Sequence, residues 1–148
     1  MAKKATNKDD LIASFDYHWR VLGGPPLVSE YRFAARYVGL GKGLKKRLAN
    51  ADMQDWRFDR ALPDLRIAIE IDGGTWNNGG HVRGLGYTNG CIKLGAAASL
   101  GWLVFRLTTD MLRDDPERHL RRIMNTITWR QRREEAVLLG RRGEEPHR

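Results

Sequence analysis

Asp59, Glu70 and Asp72, with Lys93 beyond them, are of the types and spacing that suit a metal site acting on phosphodiesters. Trp56-Arg57-Phe58-Asp59-Arg60-Ala61 alternates bulky and polar residues with period two, as a half-buried strand does. From Leu65 to Asp72 isoleucine recurs at Ile67, Ile69 and Ile71, a second strand rich in β-branched residues. Leu62-Pro63-Asp64 between them is a turn, because proline pre-sets φ and aspartate bonds its own backbone. A hairpin folded there sets Asp59 opposite Glu70 and points Glu70 and Asp72 to one face, with Ile71 on the other. Carboxylates gathered so closely must share protons or hold a cation. Hard oxygen donors with open positions suit Mg²⁺, with Mn²⁺ as a substitute. Such a cation polarises a phosphate and lowers the pKa of an attacking water. Asp64 reads instead as a turn residue. Asp72 also fits a strand-end cap, whereas burying Glu70 among isoleucines demands a reason.

These residues need a scaffold, and length bounds it. The 148 residues make one domain spanning the chain, with 1–8 and 140–148 expected as disordered tails. No apolar run reaches membrane-spanning length, no secretory signal is present, and a cytoplasmic location follows. One cysteine, Cys91, excludes an internal disulfide and a cysteine-based zinc site, and reads as a small buried hydrophobe. A net charge of +8 favours a polyanionic partner, nucleic acid first. A basic chain that nonetheless groups acids in one place is holding a cation there.

In chain order, Lys8 to Leu22 predicts a helix capped by Asn7 or Asp9, with Leu11, Phe15, Trp19 and Leu22 as its apolar stripe and Asp10 and Asp16 on its solvated side. Leu27 to Val38 predicts a strand carrying Glu30, either a fourth carboxylate of the site or a cross-strand partner for an arginine such as Arg57. Gly39 to Asp55 predicts a mobile basic loop in which Leu44 and Leu48 could support a short helical turn and Lys42, Lys45, Lys46 and Arg47 grip phosphates. Gly73 to Tyr87 is too glycine-rich for regular structure and lacks a nucleotide-binding fingerprint; His81 and Arg83 offer donors to a phosphate. Thr88 to Leu100 predicts a helix carrying Lys93 and capped by Thr88 or Asn89. Trp102 to Leu107 predicts a buried strand pairing in parallel. A short turn at Asp110 leads to a long final helix, Pro116 to Leu139, with Leu120, Ile123, Met124 and Ile127 as its docking stripe. The arginines covering its other faces could contact DNA or a second subunit.

Glu30-Tyr31-Arg32-Phe33, Trp56-Arg57-Phe58-Asp59, Ile69-Glu70-Ile71-Asp72-Gly73-Gly74-Thr75-Trp76 and Gly80-His81-Val82-Arg83-Gly84 together resemble the PD-(D/E)XK nuclease superfamily. The nearest look is to phage-encoded endonucleases similar to archaeal-type Holliday junction resolvases, over about Leu11 to Leu112. The resemblance implies an α/β, restriction-endonuclease-like core: a mixed central β-sheet flanked by helices, here with a long C-terminal helix added. It implies metal at Asp59 and Glu70, with the third motif position at Asp72. Lys93 takes the place of a lysine moved to the following helix, and Glu30 matches a further acidic position. Gly80 stands where arginine is expected before the histidine, and Gly90 and Gly95 where an acid and an asparagine flank the helical lysine.

The expectation is therefore a Mg²⁺-dependent, structure-selective endodeoxyribonuclease, a Holliday junction resolvase acting on four-way DNA as a homodimer. The metal is the only cofactor expected, with no nucleotide cofactor and no membrane partner. Its Arg57, His81 and Arg83 join the basic loop in contacting DNA. The alternatives are a nicking or repair endonuclease on duplex or mismatched DNA, and a non-catalytic DNA-binding module of the same fold.

Overall fold

The computed structural model describes residues 7–73 and 84–142, and these form an α/β arrangement around a four-stranded mixed sheet. Helix α1 (Lys8–Val21) begins where Asn7 Oδ1 accepts the Asp9 N–H at 3.2 Å, and it buries Leu11, Phe15 and Trp19. Strand β1 (Val28–Tyr31) is followed at once by helix α2 (Phe33–Val38). The continuous strand expected over Leu27–Val38 is thus halved. Glu30, at φ +49°, bends the chain out of the extended region, and Phe33, Ala34 and Ala35 bury better from one helical turn.

A second helix, α3 (Leu44–Asn50), forms where Leu44 and Leu48 were expected to support no more than a short helical turn in a mobile loop. Its start is set by Gly43, in the left-handed region at φ +83°, and by Arg47. The Arg47 guanidinium collects the carbonyls of Gly39 at 2.6 Å and Lys42 at 2.7 Å, with Val38 and Leu40 beside them. Leu48 then anchors α3 in the core.

Strands β2 (Phe58–Leu62) and β3 (Ile67–Asp72) form the expected antiparallel hairpin, turned through a 3₁₀ turn at Pro63–Leu65 with Arg66 left-handed. Helix α4 (Leu85–Ser99) crosses to strand β4 (Leu103–Thr108), which runs parallel to β3. The order β1-β2-β3-β4 makes β3 interior and β4 an edge. Edge placement is why Leu103 is exposed and Val104 and Phe105 only half-buried, against the buried strand expected there. Helix α4 starts at Leu85, three residues before the expected caps; Gly84 precedes it with no side-chain cap. Cys91 is exposed rather than buried, because Lys93 and Ala97 turn inward and Cys91 lies on the opposite side of the helix.

The sheet separates two apolar layers. Ile67, Ile69 and Ile71 pack with Leu11, Phe15 and Trp19 of α1 and with Leu107, on one face. Helix α5 (Thr109–Asp114) and the long helix α6 (Pro116–Arg142) close that face through Leu112, Leu120, Ile123 and Ile127. On the other face Ala61, Ala68 and Ala97 pack with Phe33, Leu48 and Phe58. Alanines at Ala68 and Ala97 let α4 lie close to β3. The two-residue period of β3 therefore aims Ala68 and Glu70 at α4. No helix among the described residues is long and apolar enough to cross a membrane.

Candidate active site

The β2–β3 register pairs Arg60 with Ile69, and one step further along the hairpin sets Asp59 opposite Glu70. Asp59 is the buried charged side chain of the core, 6% exposed. A carboxylate so enclosed needs partners. Its Oδ2 accepts the backbone N–H of Ile71 at 2.7 Å, and its Oδ1 faces Lys8 Nζ at 2.9 Å. Glu70 is paired with Lys93, whose ammonium donates to Glu70 Oε1 and lies 5.6 Å from the Phe58 ring centroid. The two carboxylates thus share one buried patch, with one lysine arriving from α1 and one from α4. Lys8, Glu70, Ile71, Asp72, Lys93 and Arg106 line a small cleft at this end of the sheet.

Charge explains the pairing. Burial pushes the Glu70 carboxyl above its ordinary value; Lys93 pulls it back down, and the neighbouring Asp59 pushes it up again. For Lys8, burial works against the ammonium. Its bond to Asp59 and the charges of Asp59, Glu70 and Glu30 outweigh that and hold it above the ordinary lysine value. Each carboxylate is matched by a lysine, and that pairing is what makes enclosing two adjacent carboxylates tolerable.

The other expected residues divide. Asp72 lines the same cleft, but its Oδ2 accepts from Arg106 Nη2 at 2.6 Å. No group of three or more acids, histidines or cysteines comes together as a metal cage among the described residues. Glu30 lies between Ser29 and Tyr31, the partners of Arg60 and Phe58, and so opposite Asp59. It is exposed, and its charge reaches Lys8 and Arg60. Arg57, its other expected partner, is exposed and acts on Asp55 instead. Lys42, Lys45 and Lys46 are exposed on and before α3, whereas the Arg47 guanidinium is turned inward onto the loop carbonyls. His81 and Arg83 lie outside the described residues.

Two contacts escape sequence reasoning. Lys8 reads as the basic beginning of a helix, and nothing local ties it to Asp59, 51 positions on. Asp16, expected on a solvated face, instead takes a bidentate bond from Arg60 at 2.6 and 3.0 Å. Arg60 also donates to the Asp59 carbonyl at 2.7 Å, so α1 is clamped to β2 beside the carboxylates.

Two facing carboxylates with a cleft beside them fit a hard divalent cation. Mg²⁺ is commonly held by one or two carboxylates while waters and substrate phosphates complete its shell. Compared with known proteins, the chain matches no family model, no curated protein and no solved structure.

Proposed function

We propose that this chain is a Mg²⁺-dependent DNA endonuclease of the PD-(D/E)XK type, with a four-way junction as its substrate. The observation that carries the reading is the buried Asp59–Glu70 pair with Lys93 seated on Glu70. A core that merely needed filling would not place two carboxylates side by side at a cost that two lysines must offset. Asp59 and Glu70 are the residues that would hold the cation, with Asp72 lining the same cleft and Glu30 adding its charge from β1. When bound, the cation polarises the scissile phosphate and acidifies the attacking water.

The chain's own residues do the rest. The Ile71 N–H fixes the Asp59 carboxylate through Oδ2 and leaves Oδ1 to Lys8. Lys93 brings a positive charge to the cleft wall, where it stabilises charge developing on a phosphate oxygen. Arg106 orients Asp72. The exposed Lys42, Lys45 and Lys46 supply phosphate contacts beside β2. Hydrolysis would leave a 5′-phosphate and a 3′-hydroxyl, as the resemblance implies. A junction has two equivalent scissile strands, so a two-fold dimer with two such clefts would match it.

One observation favours a non-catalytic DNA-binding module as the second reading: both core carboxylates are already neutralised by lysines. One experiment separates these. A labelled four-way junction and a duplex of the same sequence are incubated with Mg²⁺, with Mn²⁺ and with EDTA, using wild type and Glu70→Ala. Paired symmetric nicks on the junction alone, lost in EDTA and in the variant, support the proposal. Equal cutting of both substrates keeps the nuclease and removes the junction. Binding without cutting leaves the module.

A further inference from the structure

Helix α6 docks through Leu120, Ile123 and Ile127, which are buried. At 3.6 residues per turn, the direction diametrically opposite that stripe carries Arg118, Arg121, Arg122, Arg132 and Arg133, all exposed. They fall within a sector of about 120°, which rises about 22 Å along the helix. The acids of this helix, Glu117, Glu134 and Glu135, all lie outside that sector. Only Arg121 is drawn sideways, to Glu117 at 2.7 Å. Asn125 and Trp129 sit in the middle of the face. Trp129 is 55% exposed, with the Arg133 guanidinium 5.5 Å from its ring centroid.

We propose that this outer face of α6 is a second nucleic-acid contact, which holds the sugar–phosphate backbone of a DNA duplex away from the catalytic cleft. Like charges gathered on one side of a helix repel one another, and they are relieved by a polyanion that spans the same length. An amide and an exposed indole between the cations suit a deoxyribose–phosphate strand, which offers acceptors and apolar sugar faces together. The Arg130 guanidinium is turned the other way, onto the Leu65 and Arg66 carbonyls. It fastens the helix at the turn of the β2–β3 hairpin and keeps the face outward. Helix α6 covers the Ile67, Ile69 and Ile71 face of the sheet, whereas Glu70 and Lys93 lie on the face covered by α4, so a duplex on α6 is a contact additional to the one at the cleft. For a branched substrate this gives one chain a hold on a second arm. The inference rests on the nuclease reading for DNA as the polyanion, and not for the charge argument.

The test measures binding without chemistry. Fluorescence anisotropy of a short labelled duplex and of a four-way junction is followed over a salt series in EDTA. The proteins are wild type, the triple variant Arg118→Ala, Arg122→Ala and Arg133→Ala, its counterpart with lysine at the same positions, and a control with Arg20→Ala, Arg36→Ala and Arg113→Ala. The control loses the same net charge elsewhere. Each phosphate contact contributes about 0.9 to the slope of log affinity against log salt. The α6 alanine variant should lose about 2–3 of that slope and bind at least about tenfold more weakly at moderate salt. The lysine counterpart should keep most of the slope, and the control should stay near wild type.

An unchanged slope in the alanine variant overturns the proposal, and so does an equal loss in the control. If the variant instead turns a dimer into a monomer in sedimentation while its slope holds, the face belongs to a second copy and the proposal fails. A wild type that binds as described but never cuts DNA removes the nuclease reading and leaves this surface standing.

Discussion

Replacing Lys93 with methionine isolates its charge. What is lost is the ammonium, which donates to Glu70 and lies 5.6 Å from the Phe58 ring centroid. A hydrogen bond to a charged group contributes about 1.5–3 kcal/mol. The Lys93 and Glu70 side chains are 20% and 15% exposed, so solvent weakens the bond only in part, and we take about 2 kcal/mol. Without the ammonium, burial and the neighbouring Asp59 push the Glu70 carboxyl further above its ordinary value in the folded state. The sign of the pH dependence follows. Below the ordinary carboxyl value of 4.5, Glu70 is protonated whether the chain is folded or unfolded, and the missing ammonium costs nothing. As pH rises, the unfolded chain ionises first, and the penalty grows until the folded carboxyl ionises too. Thermal unfolding of wild type and Lys93→Met in EDTA should therefore nearly coincide near pH 4.5. By pH 8 they should separate by about 4–8 °C. An equal gap at both pH values would refute the electrostatic account and make Lys93 a packing residue over Phe58.

The remaining predictions concern the cation, the α3 loop and α1. Mg²⁺ at a hundredfold its Kd should raise wild-type stability by about 2.7 kcal/mol, seen as a higher Tm than in EDTA, and should leave Glu70→Ala nearly unmoved. Arg47→Lys should cost about 1–3 kcal/mol in urea unfolding, because one ammonium cannot span the carbonyls from Val38 to Lys42 that the guanidinium reaches. Gly24→Ala should cost about 1–3 kcal/mol in the same assay, since its Cβ would press into the Trp19 ring that is held by the Pro25 carbonyl at 2.8 Å.

The central hairpin was legible from the sequence because its determinants are local. Alternation through Phe58-Asp59-Arg60 and the isoleucines at every second place after Ile67 fix which faces meet, and Pro63-Asp64 fixes where the chain turns. The same period sets Asp59 opposite Glu70. The parallel strand β4 followed from a helix intervening between two strands, and the docking stripe of α6 followed from its spacing. Strand order was not legible, and it is what makes β4 an edge and leaves Leu103 exposed. Nor were α2 and α3. Their sequences are short, glycine-flanked and weakly patterned, and they are held by burial of Phe33 and Leu48 and by Arg47 bonding carbonyls of the preceding loop.

At the site, the sequence by itself determined that two carboxylates would meet. Only the tertiary structure decided which cations meet them. The rotation of α4 against β3, set by Ala97 packing on the sheet, turns Lys93 inward and Cys91 outward. The docking of α1 brings Lys8 to Asp59 and Asp16 to Arg60. The choice of Arg106 for Asp72 comes from the parallel register of β3 and β4, which places Arg106 beside Glu70 and two residues from the level of Asp72. Backbone periodicity acts over a few residues and can be read along the chain. A salt bridge between residues 44 or 51 positions apart depends on how helices rotate and settle onto a finished sheet, and no local pattern carries that information.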